Sequence, residues 1–154
     1  MTPGAFQLPS ISEATIMSNT SVSDSDPIAL YDALRAALHK RDGSVLAHFA
    51  PDFVVHEDPG MPYGGTFHGA EHFVRLFHEV YSTFGGRPIE LLWKCRDDQG
   101  HVMVYFKLSG QPEKSPEPVS SYVAIAWTFE NGLAKEARIS YFDTPRLSKA
   151  ILGS

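Results

Sequence analysis

Residues 49–81 read FAPDFVVHEDPGMPYGGTFHGAEHFVRLFHEVY, and the rest of the chain is organised around them. The run Phe53–Asp58 lies between turn signals and ends on consecutive acids before a proline, which predicts a short strand stopping at Asp58. Pro59–Gly69 is rich in Pro and Gly and reads as a loop. After Gly69, Phe73, Phe77 and Tyr81 recur at four-residue spacing, predicting an amphipathic helix over about residues 70–84. Pro59 holds Asp58 extended, and His56 shares its side of the strand because strand side chains alternate. An imidazole and a carboxylate at the mouth of a strand form a candidate acid–base pair. The same two residues also read as an ordinary surface pair or a loop cap.

Working outward toward the N-terminus, residues 1–26 are rich in Ser, Thr and Pro without period and read as a flexible extension. Asp26 can cap a helix with Pro27 at its first position, and Ile28, Tyr31, Leu34 and Leu38 fall on one face. Asp42-Gly43 breaks that helix, and a shorter one follows through Val45, Leu46 and Phe49. Toward the C-terminus the period changes to two. Ile89–Arg96 alternates Ile89, Leu91, Trp93 and Cys95 against Glu90, Leu92, Lys94 and Arg96. His101–Leu108 sets Val102, Val104, Phe106 and Leu108 against His101, Met103, Tyr105 and Lys107. Val119–Phe129 forms the next strand, Asn131-Gly132 is a hairpin turn signal, and Leu133–Phe142 returns. Residues 148–154 read as a tail. Helix, helix, strand, helix and four strands in meander predict one α+β domain over 27–147, a curved antiparallel sheet wrapped around three N-terminal helices.

The 154 residues are 43% hydrophobic and carry a net charge of −5, with no run of Lys or Arg longer than two. That argues against nucleic acid or an anionic membrane surface as partner. The single cysteine, Cys95, excludes an internal disulfide and reads as a small buried hydrophobe. With no membrane-length apolar run and no secretory leader pattern, the expectation is a cytoplasmic protein.

The element order, the Glu57-Asp58-Pro59 ending of the first strand, Pro62-Tyr-Gly-Gly-Thr66 with Gly69, and Tyr141-Phe-Asp-Thr144 together resemble the NTF2-like fold. Within it they are similar to SnoaL-like and ketosteroid-isomerase-like proteins, over roughly Pro27 to Leu147. The resemblance implies a conical half-barrel enclosing a ligand pocket, paired as a homodimer through the outer face of the sheet. It places Asp58 on the catalytic aspartate of ketosteroid isomerases. The oxyanion-binding tyrosine and aspartate of those enzymes fall on Leu34 and on Ile125 or Ala126, with Tyr31 one helical turn away as an imperfect substitute. A steroid isomerase is therefore not expected.

For the last strand two registers compete. Hydrophobicity points Ala137, Ile139 and Tyr141 inward, whereas the resemblance points Glu136, Arg138 and Ser140 into the pocket. The resemblance favours the second register. It gives a catalytic set of Asp58, His56, Glu136 and Arg138, with Tyr31, Phe73, Phe77, Trp93, Phe106, Trp127 and Ser140 against the substrate. His101, Met103 and Tyr105 then face away, toward a subunit interface. No HEXXH or paired-cysteine pattern supports a metal, no G-x-S-x-G elbow a serine nucleophile, and Gly64-Gly65 no nucleotide loop, so no cofactor is implied. The expected function is that of a cofactor-independent cyclase or isomerase acting on a hydrophobic small molecule such as a polyketide or terpenoid intermediate. The alternatives are a non-catalytic NTF2-like ligand-binding or dimerisation module and, more weakly, an epoxide-opening enzyme.

Overall fold

The computed structural model describes residues 26–86 and 88–154, so the extension expected over 1–26 lies outside it except for Asp26. Helix α1 (Pro27–Lys40) starts where the cap and proline predict it, with Asp26 Oδ1 accepting the Ile28 N–H at 3.1 Å. Its buried face is Tyr31, Leu34, Ala37 and Leu38. A left-handed Arg41 ends it, and the second short helix is a single 3-10 segment, Ser44–His48. Strand β1 (Phe49–Glu57) begins four residues before the expected start and stops one residue short of Asp58.

The predicted loop contains a short strand, β2 (Gly65–His68), that pairs antiparallel with Val54–Glu57 of β1. Its glycine and proline neighbours hide it from a propensity reading, and tertiary pairing overrides that preference. Helix α2 (Ala70–Phe84) follows and buries Phe73, Leu76, Val80 and Phe84. Then come β3 (Ile89–Arg96), β4 (His101–Gly110), β5 (Val119–Glu130) and β6 (Leu133–Tyr141) as a meander. Asn131 and Gly132 both take positive φ, 54° and 80°, the geometry a two-residue hairpin turn requires. The chain does not end in a tail: Thr144–Leu152 is a helix, α3, capped by Asp143 and anchored by the fully buried Leu147.

The strands lie in one open sheet, in the order β2-β1-β6-β5-β4-β3, with β1 and β6 parallel and every other pair antiparallel. This is the α+β, NTF2-like half-barrel that the sequence predicts. Its core is aromatic: Trp127 packs against Phe73, Phe53 and Phe49 at ring-centre distances of 5.0, 6.3 and 6.4 Å. Each such ring contributes on the order of 2 kcal/mol by leaving water.

Two facings differ from the sequence reading. In β6 the hydrophobic register prevails over the one the resemblance favours. Ala137 pairs with Trp127 and Ile139 with Ile125 on the inner face, while Glu136, Arg138 and Ser140 lie outside against Thr128, Ala126 and Ala124. The reason is solvation: burying a carboxylate and a guanidinium costs several kcal/mol, whereas the small Ala137 leaves room for the Trp127 indole. In β3 a bulge between Leu91 and Trp93 reverses the alternation. Leu91 faces inward with Phe106, but Trp93 pairs with Tyr105 on the outer face and is 49% exposed, and Cys95 is exposed too. Lys94 instead turns toward α1 and pairs with Asp32.

Candidate functional site

Two small apolar pockets adjoin on the inner face of the cone and form its two lobes. They share Phe73, Phe77, Ile89, Phe106 and Ile125. The first lobe ends on Glu57, Ile139 and Tyr141; the second on Tyr31, Arg35, His39, Tyr81 and Trp127. Each lobe offers about 50 Å³ to an occupant, a few water molecules' worth, so the cone is a narrow slot rather than a wide bowl. Pockets that engulf a polycyclic ligand are several times larger, about 300 Å³ or more.

Strand alternation selects the polar groups. Phe53 and Val55 of β1 are fully buried, and Glu57 continues that parity into the first lobe at 3% exposure. Glu57 Oε1 accepts the Asp58 N–H at 2.9 Å, and Oε2 accepts the phenolic O–H of Tyr141 at 3.3 Å. The Tyr63 hydroxyl lies 3.4 Å from that of Tyr141, so two tyrosines and one carboxyl form a short polar relay at the end of an apolar lobe. Burial raises the Glu57 pKa from 4.5 to about 8, more than the bonds from Asp58 N–H and Tyr141 lower it, and the Asp58 charge adds to the rise. Burial likewise raises the pKa of Tyr141 and Tyr63, so neither phenol is ionised near neutrality.

The four residues expected to be catalytic stand elsewhere. Asp58 is half-buried, and its two carboxyl oxygens accept the backbone N–H groups of Gly60 (2.9 Å) and Tyr141 (3.2 Å). It thus ties the end of β1 to the end of β6 and turns the loop that leads from β1 into β2. His56, Glu136 and Arg138 do meet, but on the outer face. His56 Nε2 lies 3.1 Å from Glu136 Oε2, its Nδ1 lies 3.0 Å from Thr66 Oγ1, and Arg138 Nε donates to Glu136 Oε1 at 3.3 Å. His56 lies on the outer face of β1, and Asp58 sits just past the strand's end, bonded to backbone N–H groups.

Of the residues expected against substrate, Tyr31, Phe73, Phe77, Phe106 and Trp127 line the lobes, whereas Trp93 and Ser140 face outward. Leu34 and Ile125 both line the second lobe, so no carboxylate or phenol occupies those two positions. Glu57 is absent from the expected set, although the apolar pair Phe53 and Val55 marks the inward parity of β1, and Tyr141 falls in the hydrophobic register of β6 that the resemblance sets aside. Among the described residues no three of His, Cys, Asp and Glu stand together as a metal site.

The chain folds as an α+β cone with one carboxyl, that of Glu57, turned into its apolar interior. The chain belongs to the SnoaL-like domain family, whose model matches residues 29–137. An NTF2-like protein from Burkholderia thailandensis superposes with a TM-score of 0.69 at 23% identity, over 81% of this chain and 96% of that one. An NTF2-like protein of unknown function from Burkholderia pseudomallei gives 0.67 at 25%, over 82% and 98%. A candidate SnoaL-like polyketide cyclase from Mesorhizobium loti gives 0.57 at 17%, over 73% and 95%. No curated protein matches the sequence.

Proposed function

We propose that the protein is a cofactor-independent acid–base enzyme, a cyclase or isomerase that moves a proton on a small apolar carbonyl compound. The observation that carries this reading is the Glu57 carboxyl, buried at the end of an apolar lobe with a pKa raised to about 8 and a tyrosine on its free oxygen. A base of that strength takes a proton from carbon next to a carbonyl and returns it at another position. Tyr141 remains a neutral hydrogen-bond donor throughout, holding the carboxylate when it forms. In this scheme Asp58 acts as the tether that positions both, and His56, Glu136 and Arg138 have no part in proton transfer. Ring closure and isomerisation both fit, since each needs proton movement and a wall that folds the substrate. The narrow slot favours a one-ring or linear substrate; a polycyclic polyketide or terpenoid intermediate would need the side chains of α2 to swing outward.

The test is deuterium incorporation from D2O into a panel of aryl ketones and 1,3-dicarbonyl compounds, followed by NMR. The native chain is expected to accelerate exchange, and Glu57→Gln to abolish the acceleration while keeping the fold. Exchange that persists in Glu57→Gln removes Glu57 from the mechanism.

The slot's small volume favours a second reading, a non-catalytic ligand-binding or dimerisation module, in which no compound exchanges. In either reading two copies would pair through the outer face. Trp93, Tyr105 and Tyr122 stack there in a ladder, with ring centres 5.1 and 5.6 Å apart, and Trp93 and Tyr122 are exposed.

A further inference from the structure

The end of the cavity opposite Glu57 carries a cation, Arg35, that has no counter-ion among the described residues. Arg35 of α1 lines the second lobe and lies over the Phe106 ring, its guanidinium carbon 5.3 Å from the ring centre. Among the described residues Arg35 makes no salt bridge and no side-chain hydrogen bond. The carboxylate beside it in sequence, Asp32, is engaged by Lys94 of β3. That engagement depends on the β3 bulge, which turns Lys94 inward. A half-buried guanidinium stacked on an aromatic face keeps all its N–H donors in one plane, free for an incoming acceptor.

The surroundings add donors, and the nearby Asp32 carboxylate is already engaged by Lys94. Tyr31, on the same lobe, has its pKa pushed up to about 12, by burial above all, so its hydroxyl remains protonated. His39 is held toward its neutral form by burial and by the charges of Arg35 and Arg41. The buried indole N–H of Trp127, whose ring forms part of this wall, has no acceptor among the described residues.

We infer that Arg35 is the carboxylate-binding residue of the second lobe, and that the ligand is an apolar carboxylic acid whose hydrocarbon body runs along the shared wall of Phe73, Phe77 and Phe106. This rests on the reading of the cavity as a substrate site and specifies the substrate class. The acid's two oxygens match the planar guanidinium fork, and its far end reaches toward Glu57, which is neutral for most of the time near pH 7 and so does not repel it.

Binding is measured by calorimetry on the full chain with 3-phenylpropanoate and its uncharged isostere, 3-phenylpropanamide. The acid is expected to bind at least tenfold tighter than the amide. Arg35→Met is expected to erase that preference and Arg35→Lys to keep part of it, with all three proteins melting as folded chains. Equal binding of the two probes, no binding of the acid, or a preference that survives Arg35→Met overturns the inference. Glu57→Gln is expected to retain the preference. The calorimetry involves no proton exchange, so failure here leaves the Glu57 chemistry standing, and the converse also holds.

Discussion

Tyr141, the last residue of β6, donates its hydroxyl to Glu57, the last residue of β1, and its backbone N–H to Asp58, the next residue along. Two neighbouring acids thus meet one tyrosine in different ways. Glu57 receives a side-chain bond inside the cavity, while Asp58 receives a main-chain bond at its rim. Glu57, the last strand residue, keeps the inward parity of Phe53 and Val55, whereas Asp58 lies past the strand and turns to backbone N–H groups.

Glu57 makes the fold pH-sensitive in a defined direction. Its pKa in the folded protein, about 8, is above the ordinary 4.5, so between those values the folded chain holds a proton that the unfolded chain has lost. Stability is full below about pH 4.5, declines as pH rises, and levels off above about 8, a loss on the order of several kcal/mol. Urea titrations from pH 4 to 9 are expected to show the decline in the native chain and to lose most of it in Glu57→Gln. A flat native profile would mean the carboxyl is solvated.

Tyr141→Phe removes the O–H that steadies the ionised Glu57, so the carboxyl should titrate at higher pH than in the native chain. The midpoint of the pH profile of deuterium exchange is the readout. A midpoint that stays or falls contradicts a bond from Tyr141 to the carboxylate.

Asp58→Ala leaves the N–H groups of Gly60 and Tyr141 without an acceptor and should cost about 1–3 kcal/mol. Asp58→Asn keeps one acceptor oxygen and should cost less. Both variants should retain exchange activity in proportion to their folded fraction. Complete loss of exchange in a fully folded Asp58→Asn would return Asp58 to the chemistry.

The loop after Asp58 closes on itself at Gly64, where a Cβ would stand 2.1 Å from the Asp58 carbonyl oxygen and 2.8 Å from the Pro59 Cα. Gly64→Ala must push backbone against backbone, a cost of about 1–3 kcal/mol, and should lower the melting temperature. An unchanged melting temperature would show that the loop shifts freely.

Tyr105 is the middle rung of the outer aromatic ladder, and Tyr105→Glu places a charge at its centre. Sedimentation is expected to show a dimer for the native chain and a monomer for the variant. A native monomer dismisses pairing through this face.

The sequence by itself determined the helix starts at Asp26-Pro27 and Gly69, the meander, the Asn131-Gly132 hairpin and the aromatic wall, because each follows from local backbone preference or from the period of apolar residues. The parity of β1 is the reverse of the one expected: the resemblance turns His56 and Asp58 to the pocket, although buried Phe53 and Val55 lead to Glu57. Only the tertiary structure decided the rest. The β3 bulge, which turns Trp93 out and Lys94 in, has no local signature, because a bulge is settled by the strand alongside. The facing of β6 was decided by the cost of burying Glu136 and Arg138 against the fit of Ala137 to Trp127. Among the described residues, the lack of an ion pair at Arg35 depends on Lys94 reaching Asp32 from 62 residues away, a contact that exists once the sheet has folded around the helix.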